Sequence, residues 1–203
     1  MTLPRFYPVA EPHLDNEDRR HLLDAFDSGW ISSNGPCIGQ FEEAFARFVG
    51  TEFALSVVNG TAGLHMTLLA LGAGPGDEVI VPTFTYVATA NAVSYCGATP
   101  VLVDCEPDTL NLDARALEAR ITPRTRAILP VHFAGLACDM DPILELARPR
   151  GIKVVEDAAH AIPTRYKGRL VGTIGDITCF SFYATKNVTT GEGGMIATED
   201  QGF

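Results

Sequence analysis

From Phe53 onward, short apolar runs rich in valine and isoleucine alternate with turn residues and helical stretches. The runs Val79-Ile80-Val81 and Ile152-Lys153-Val154-Val155 are almost uninterrupted, which is typical of strands that are buried on both faces. A repeated strand–helix order favours a parallel sheet with helices on both sides. The sequence therefore predicts an α/β fold, a three-layer α/β/α sandwich with a mostly parallel sheet of about seven strands.

The apolar runs and the helical spacings divide the chain into two parts. Residues 1–50 are predicted to form an N-terminal helical arm, with one helix over about 17–26 and a second that ends at Gly50. Residues 51–203 are predicted to form one large domain. Its predicted strands are Phe53–Val58, Glu78–Val81, Pro100–Asp104, Ala127–Val131, Ile152–Glu156, Ile177–Phe182 and Gly194–Thr198. Its predicted helices include Ala62–Leu71, Asp113–Arg120 and Asp141–Ala147.

Composition and charge exclude several classes of function. The net charge of −10 argues against a nucleic-acid surface, which needs a basic face. Apolar stretches are too short to span a bilayer and the N-terminus lacks a signal-peptide pattern, so we expect no membrane partner and a cytoplasmic location. The five cysteines are widely spaced and are expected to be buried apolar residues, and the histidines lack metal-ligand spacing. No metal is expected.

The first predicted strand leads through a glycine turn, Asn59-Gly60-Thr61-Ala62, into a helix. In parallel sheets, ligands collect beyond the carboxyl ends of the strands. Unpaired N–H groups in the first helical turn and the hydroxyl of Thr61 would suit a phosphate monoester. A simple tight turn explains the same segment equally well.

An acidic pair and a histidine follow another strand, in Glu156-Asp157-Ala158-Ala159-His160. Asp157 could hold a protonated heterocyclic nitrogen, as the ring of pyridoxal 5′-phosphate (PLP) requires. The alternative for Asp157 is a helix N-cap, and for His160 a hydrogen-bonded polar residue at the edge of the core. Taken alone, this segment favours the alternatives.

Lysine is scarce in this chain, with only Lys153, Lys167 and Lys186. A covalent bond to an aldehyde cofactor needs an amine that can lose its proton, which excludes arginine. Lys153 begins a predicted strand, at the end opposite the ligand edge, and Lys167 lies in a predicted exposed turn. Lys186 follows a strand end and is the suitable candidate.

Three segments together resemble the DegT/StrS family of PLP-dependent sugar aminotransferases. They are Asn-Gly-Thr-Ala at 59–62, Glu-Asp-Ala-Ala-His at 156–160 and Ser-Phe-Tyr-Ala-Thr-Lys-Asn at 181–187. Shorter similarities extend the match from about Ser28 to Asp200, so the resemblance covers most of the chain.

This resemblance implies PLP as the cofactor and assigns its contacts. Lys186 would bond covalently to PLP, Asp157 would hold the pyridine nitrogen, and His160, where many relatives carry Gln, would lie near the phenolic oxygen. The remaining cofactor-binding residues would be Thr61, Ala62 and Ser181 on the phosphate, Tyr86 stacked on the ring, and Asn187 beside the lysine.

The resemblance also implies an activity. Relatives that keep the lysine transfer an amino group, here expected to come from glutamate, to a nucleotide-linked ketosugar in amino-sugar and polysaccharide biosynthesis, and they act as homodimers. Such relatives continue into a small C-terminal domain that this chain, ending at Phe203, does not contain. The alternative expectation is therefore a truncated, non-catalytic PLP-fold module with a regulatory or assembly role.

Overall fold

The computed structural model describes residues 10–203, so the first nine residues of the predicted arm lie outside the described part. Its α-helices are α1 Asn16–Asp27, α2 Pro36–Val49, α3 Gly60–Ala70, α4 Ala88–Tyr95 and α5 Met140–Ala147. Its strands are β1 Phe53–Val57, β2 Glu78–Pro82, β3 Thr99–Val103, β4 Thr125–Ile128, β5 Lys153–Asp157, β6 Arg165–Tyr166, β7 Arg169–Leu170, β8 Ile177–Ser181 and β9 Gly194–Thr198.

Seven of these strands form one sheet in the order β1-β9-β8-β5-β4-β2-β3. The five strands β8, β5, β4, β2 and β3 are parallel to one another. Strand β9 runs antiparallel to both β1 and β8. The predicted mostly parallel sheet is therefore confirmed, and the small β6–β7 hairpin is an addition that the sequence did not predict.

Helices cover both faces of the sheet. Alternate residues of β2 point to opposite faces, so Ile80 packs in the same core as Phe45 of α2 and Ile143 of α5. Its neighbour Val81 packs in a second core that includes Leu68 of α3. The predicted three-layer arrangement is confirmed.

The two helices of the predicted arm differ in their packing. Helix α1 buries none of its side chains, and Phe26 on it is 77% exposed. Helix α2 buries Phe45 and Val49, and the Phe45 ring lies 5.0 Å from that of Phe180 in β8. Helix α2 therefore shares its core with the sheet of the large domain, although the sequence analysis assigned it to the arm.

The segment Asp113–Arg120, predicted as one helix, contains two short 3₁₀ turns, Ala114–Ala116 and Glu118–Arg120. The prediction of a continuous α-helix was wrong. Within residues 113–120, Leu117 is the only buried side chain. The burial of a single side chain gives too little packing energy to offset the free-energy cost of nucleating an α-helix.

Two smaller expectations can be compared with the structure. Cys96, Cys138 and Cys179 are buried as expected, but Cys37 is exposed and Cys105 is half-buried, so burial of all five cysteines was wrong. Among the helices of residues 10–203, none combines the length and apolarity needed to cross a bilayer. That same range holds no cluster of three or more side chains suited to a metal ion.

Candidate active site

A cavity of about 660 Å³ opens beyond the carboxyl ends of the parallel strands, beside the start of α3. Six of the eight predicted site residues line it, namely Thr61, Tyr86, Asp157, His160, Ser181 and Lys186. Ala62 and Asn187 are not among its lining residues. The sheet therefore brings together residues that are more than 100 positions apart in the sequence, because its parallel strands end at one edge.

The turn that begins α3 forms one end of the cavity. Asn59 is the N-cap of α3, and its side-chain oxygen accepts a hydrogen bond from the N–H of Ala62 at 2.9 Å. This cap uses the N–H group of Ala62 that would otherwise point to a ligand. In this conformation, Thr61 and Ser181 remain on the cavity wall as hydroxyl groups suited to a phosphate.

Two glycines allow the start of α3 to lie against β8 and β9. A Cβ atom on Gly194 would lie 2.7 Å from the carbonyl carbon of Asn59 and 2.8 Å from the carbonyl oxygen of Phe180. A Cβ atom on Gly60 would lie 3.0 Å from Cβ of Ser181. The absence of side chains at both positions creates the close approach that places the α3 turn next to Ser181.

Asp157 ends β5 and is only 6% exposed. Its Oδ2 atom accepts a hydrogen bond from the Thr89 hydroxyl at 2.9 Å, and its Oδ1 atom accepts one from the N–H of Ala159 at 3.1 Å. The residues after Asp157 form turns and no helix begins there, so the N-cap alternative does not apply. A buried carboxylate held by two donors on a cavity wall is suited to bind a protonated ring nitrogen.

Glu156 points away from the cavity, to the opposite face of the sheet from Asp157. It is fully buried and accepts hydrogen bonds from His132 Nε2 at 2.9 Å, Gly175 N–H at 2.8 Å and the Thr178 hydroxyl at 2.8 Å. Burial alone would raise the pKa of Glu156, but the His132 hydrogen bond and charge and the other two donors hold this pKa below its usual value. Glu156 is thus a structural carboxylate.

Lys186 and His160 are both half-buried on the cavity wall. Burial lowers the pKa of the Lys186 amine, while the negative charge of Asp157 acts in the opposite direction. Burial and the positive charge of Lys186 lower the pKa of His160, again against Asp157. The site therefore favours a Lys186 amine that loses its proton more easily than a free lysine, which a bond to an aldehyde requires.

The other two lysines lie away from the cavity. The Lys153 ammonium is 3.0 Å from Asp176 Oδ1, and Lys167 pairs with Asp141 on the surface. Neither residue lines the cavity. The sequence-based choice of Lys186 among the three lysines therefore agrees with its position.

A row of aromatic rings that was not predicted from the sequence lines the cavity. The Phe84 and Phe133 rings are 4.8 Å apart, and the Phe133 ring is 6.1 Å from that of His160. Both phenylalanines follow strand ends, Phe84 after β2 and Phe133 after β4. Inspection of every strand end for aromatic residues would have found them.

Comparisons with known proteins identify the family. A sequence profile of the DegT/DnrJ/EryC1/StrS aminotransferase family matches residues 12–203. The chain therefore belongs to this family, which confirms the resemblance drawn from its motifs.

Individual relatives agree with this assignment. The chain is 57% identical to the GDP-perosamine synthase of Caulobacter vibrioides, over 98% of this chain and 53% of that protein. It is 51% identical to the spore coat polysaccharide biosynthesis protein SpsC of Bacillus subtilis, over 97% of this chain and 50% of that protein. The chain thus spans about half the length of the curated relatives it matches.

A solved structure of a Streptococcus pneumoniae protein, described as a sugar aminotransferase in its PLP form, has the same fold. The two structures superpose with a TM-score of 0.92 at 35% identity, covering 97% of this chain and 54% of that one.

Proposed function

We propose that this chain is the PLP-binding domain of an aminotransferase that transfers an amino group from glutamate to a nucleotide-linked ketosugar. The observation that carries the proposal is that a half-buried lysine amine, Lys186, and a buried carboxylate, Asp157, line the same cavity. The names of the relatives, a GDP-perosamine synthase and a polysaccharide biosynthesis protein, support a sugar substrate.

The lining residues fit the three chemical parts of PLP. The Asp157 carboxylate suits the ring nitrogen, the Lys186 amine suits the aldehyde, and the hydroxyls of Thr61 and Ser181 suit the phosphate. When bound, PLP supplies an electron sink that stabilises negative charge on the carbon next to the transferred nitrogen. We assign the ring face to Tyr86, whose side chain is 75% exposed at the mouth and free to stack.

Each predicted site residue has its own role in the proposed reaction. Lys186 accepts and returns the proton that moves during both halves of the transfer, because its amine is on the cavity wall and has a lowered pKa. Asp157 keeps the ring nitrogen protonated. His160 is assigned to the phenolic oxygen, and Ala62 and Asn187 to supporting contacts beside the phosphate and the lysine.

We further infer that two copies of the full-length protein act together as a homodimer. The exposed apolar side chains of α1 and the following loop, such as Phe26, Trp30 and Ile31, are consistent with a surface that is covered in an assembly. The cytoplasmic location remains a prediction from the sequence.

The test of the proposal is a borohydride reduction of the protein with PLP. Wild type is expected to gain one covalent PLP group, and Lys186→Ala is expected to gain none. Lys153→Ala, the matched control, should behave as wild type because its amine pairs with Asp176 outside the cavity. A PLP group that persists in Lys186→Ala would refute the assignment. In a separate assay without borohydride, a wild type that binds PLP but takes no amino group from glutamate would identify a binding domain without catalysis.

A further inference from the structure

Thr89 lies directly behind the cavity, in the first turn of α4, and its side chain is fully buried. Its hydroxyl is 2.9 Å from Asp157 Oδ2 and 2.8 Å from the Thr85 hydroxyl. Its main-chain N–H donates to the carbonyl of Tyr86 at 3.1 Å. One residue outside the cavity therefore contacts both groups that are assigned to the cofactor ring, Asp157 and the turn of Tyr86.

The directions of these hydrogen bonds follow from the chemistry of a carboxylate. An ionised carboxylate only accepts, so the Thr89 hydroxyl donates to Asp157 and its oxygen accepts from the Thr85 hydroxyl. The N–H of Ala159 donates to the other oxygen of Asp157. With one donor on each oxygen, the carboxylate plane is fixed, and lone pairs remain for a ligand in the cavity.

A threonine hydroxyl in this position has a reason beyond packing. The apolar core on this face of the sheet is formed by residues such as Leu68, Val93 and Leu129, and valine has nearly the same size and shape as threonine but lacks its hydroxyl. The hydroxyl makes two hydrogen bonds that a methyl group cannot make, one with the Thr85 hydroxyl and one with the Asp157 carboxylate.

We propose that Thr89 is a positioning residue for the cofactor ring, which orients the Asp157 carboxylate through its hydroxyl and holds Tyr86 through its N–H. This inference rests on the proposed function, because it assumes that a ring nitrogen meets Asp157. Removing the hydroxyl leaves the Asp157 carboxylate with the N–H of Ala159 as its one remaining donor, so its plane is less firmly held. Ligands that bind through a ring nitrogen therefore lose affinity, and ligands without this nitrogen do not.

The experiment measures PLP dissociation constants by absorbance titration for wild type, Thr89→Val and Thr89→Ser. Thr89→Val is expected to weaken PLP binding about tenfold, in line with the loss of a hydrogen bond to a charged group. Thr89→Ser keeps the hydroxyl and is expected to stay close to wild type. Thr67→Val is the matched control, since Thr67 is also buried but its hydroxyl meets Cys179.

Two further measurements separate positioning from a general structural role. An analogue of PLP with C–H in place of the ring nitrogen should bind wild type and Thr89→Val equally. In a double-mutant cycle, Asp157→Asn with Thr89→Val should bind PLP no more weakly than Asp157→Asn alone. If Thr89→Val proves unstable in thermal unfolding, the affinities for PLP and its analogue and the double-mutant cycle are measured with Thr89→Ala instead.

The outcomes distinguish this inference from the function on which it rests. Equal PLP affinity of Thr89→Val and wild type would overturn the role of Thr89 and leave the function intact. Equal losses for PLP and its nitrogen-free analogue would show a structural role and would also overturn it. A wild type that binds no PLP would overturn the proposed function together with this inference.

Discussion

The surroundings of Lys186 shift the pKa of its amine in two opposite directions. Burial lowers the pKa of the amine, and the Asp157 carboxylate raises it, with burial as the larger effect. A neutral amine is the form that attacks an aldehyde, so the balance of the two effects sets the pH range of cofactor attachment.

The first prediction concerns the pH dependence of this attachment. The rate at which PLP attaches covalently to the protein should rise as the pH rises. The apparent pKa of this increase should lie below the 10.5 of a free lysine. Asp157→Asn should lower this apparent pKa further, because it removes the negative charge that favours the ammonium form. Stopped-flow absorbance over pH 6 to about 11 tests both statements. An apparent pKa that rises in Asp157→Asn would contradict the arrangement.

The second prediction concerns the chemistry at Asp157. Asp157→Asn should retain covalent PLP but transfer the amino group of glutamate at least about a hundredfold more slowly, since a neutral amide stabilises a protonated ring nitrogen poorly. Single-turnover absorbance with glutamate gives the rate. Asp176→Asn, outside the cavity, is the control. Near-normal transfer by Asp157→Asn would remove Asp157 from its assigned role.

The third prediction concerns the buried carboxylate of Glu156. His132→Ala removes one of its three hydrogen-bond donors and leaves a charge in the core without its main partner. The free energy of unfolding should fall by about 3–5 kcal/mol. Urea denaturation measures it, and the exposed His21→Ala should change it by less than about 0.5 kcal/mol. Equal stability of the two variants would show that His132 is dispensable.

The neighbouring acids Glu156 and Asp157 illustrate what a sequence reveals about a site. Both were visible as an acidic pair after an apolar strand, and strand alternation places one on each face of the sheet. The pattern did not say which face holds the cavity, because this depends on where α3 and α4 pack. The contacts of Thr89 and His132 with this pair were equally hidden, since both residues come from distant elements.

At the scale of elements, the start of α3 depends on backbone contacts with β8 and β9. The Gly194→Ala substitution puts a Cβ atom within 2.8 Å of Gly60 N and of the Phe180 carbonyl oxygen. The fourth prediction is a loss of about 1–3 kcal/mol in the free energy of unfolding, as for an overpacked core, together with weaker PLP binding. Gly74→Ala is the control because nothing lies within 4 Å of its added Cβ.

Equilibrium unfolding and PLP titration of the two glycine variants test this prediction. A Gly194→Ala protein that binds PLP as well as wild type would show that the α3 turn tolerates displacement from Ser181, and that the phosphate is held elsewhere.

The elements that the sequence predicted well are those with strong local patterns. All seven strands of the main sheet were found, because continuous apolar runs between turn residues identify buried strands. The antiparallel direction of β9 was not predicted, since the composition of Gly194–Thr198 does not differ from that of a parallel strand. The β6–β7 hairpin, with two residues per strand, is too short to show a period.

At the scale of the whole molecule, the cavity wall combines exposed and buried residues. Tyr86 and Phe84 on this wall are 75% and 46% exposed, whereas Asp157 is buried. We place the cofactor ring beside Asp157, where the cavity wall is buried. In the proposed function, the sugar acceptor would meet the exposed part of this wall.

The stability of the whole molecule in acid should report on Glu156. Its pKa in the folded state lies below the 4.5 of the unfolded chain, so its contribution is complete above pH 4.5 and is lost as the pH falls through the folded-state pKa. The fifth prediction is therefore that Glu156→Gln lowers the free energy of unfolding at pH 7 but reduces its dependence on pH below 4.5.

Urea midpoints between pH 3 and 7 provide the measurement, and one proton corresponds to a slope of up to about 1.4 kcal/mol per pH unit. Other carboxyl groups with lowered pKa values, including Glu78, Asp113 and Asp141, also contribute to acid unfolding. These groups are the same in both proteins, so the difference between wild type and Glu156→Gln reports on Glu156 together with its hydrogen-bonded partner His132. Parallel curves would mean that Glu156 binds its proton equally well in the folded and unfolded states, which would contradict the lowered pKa.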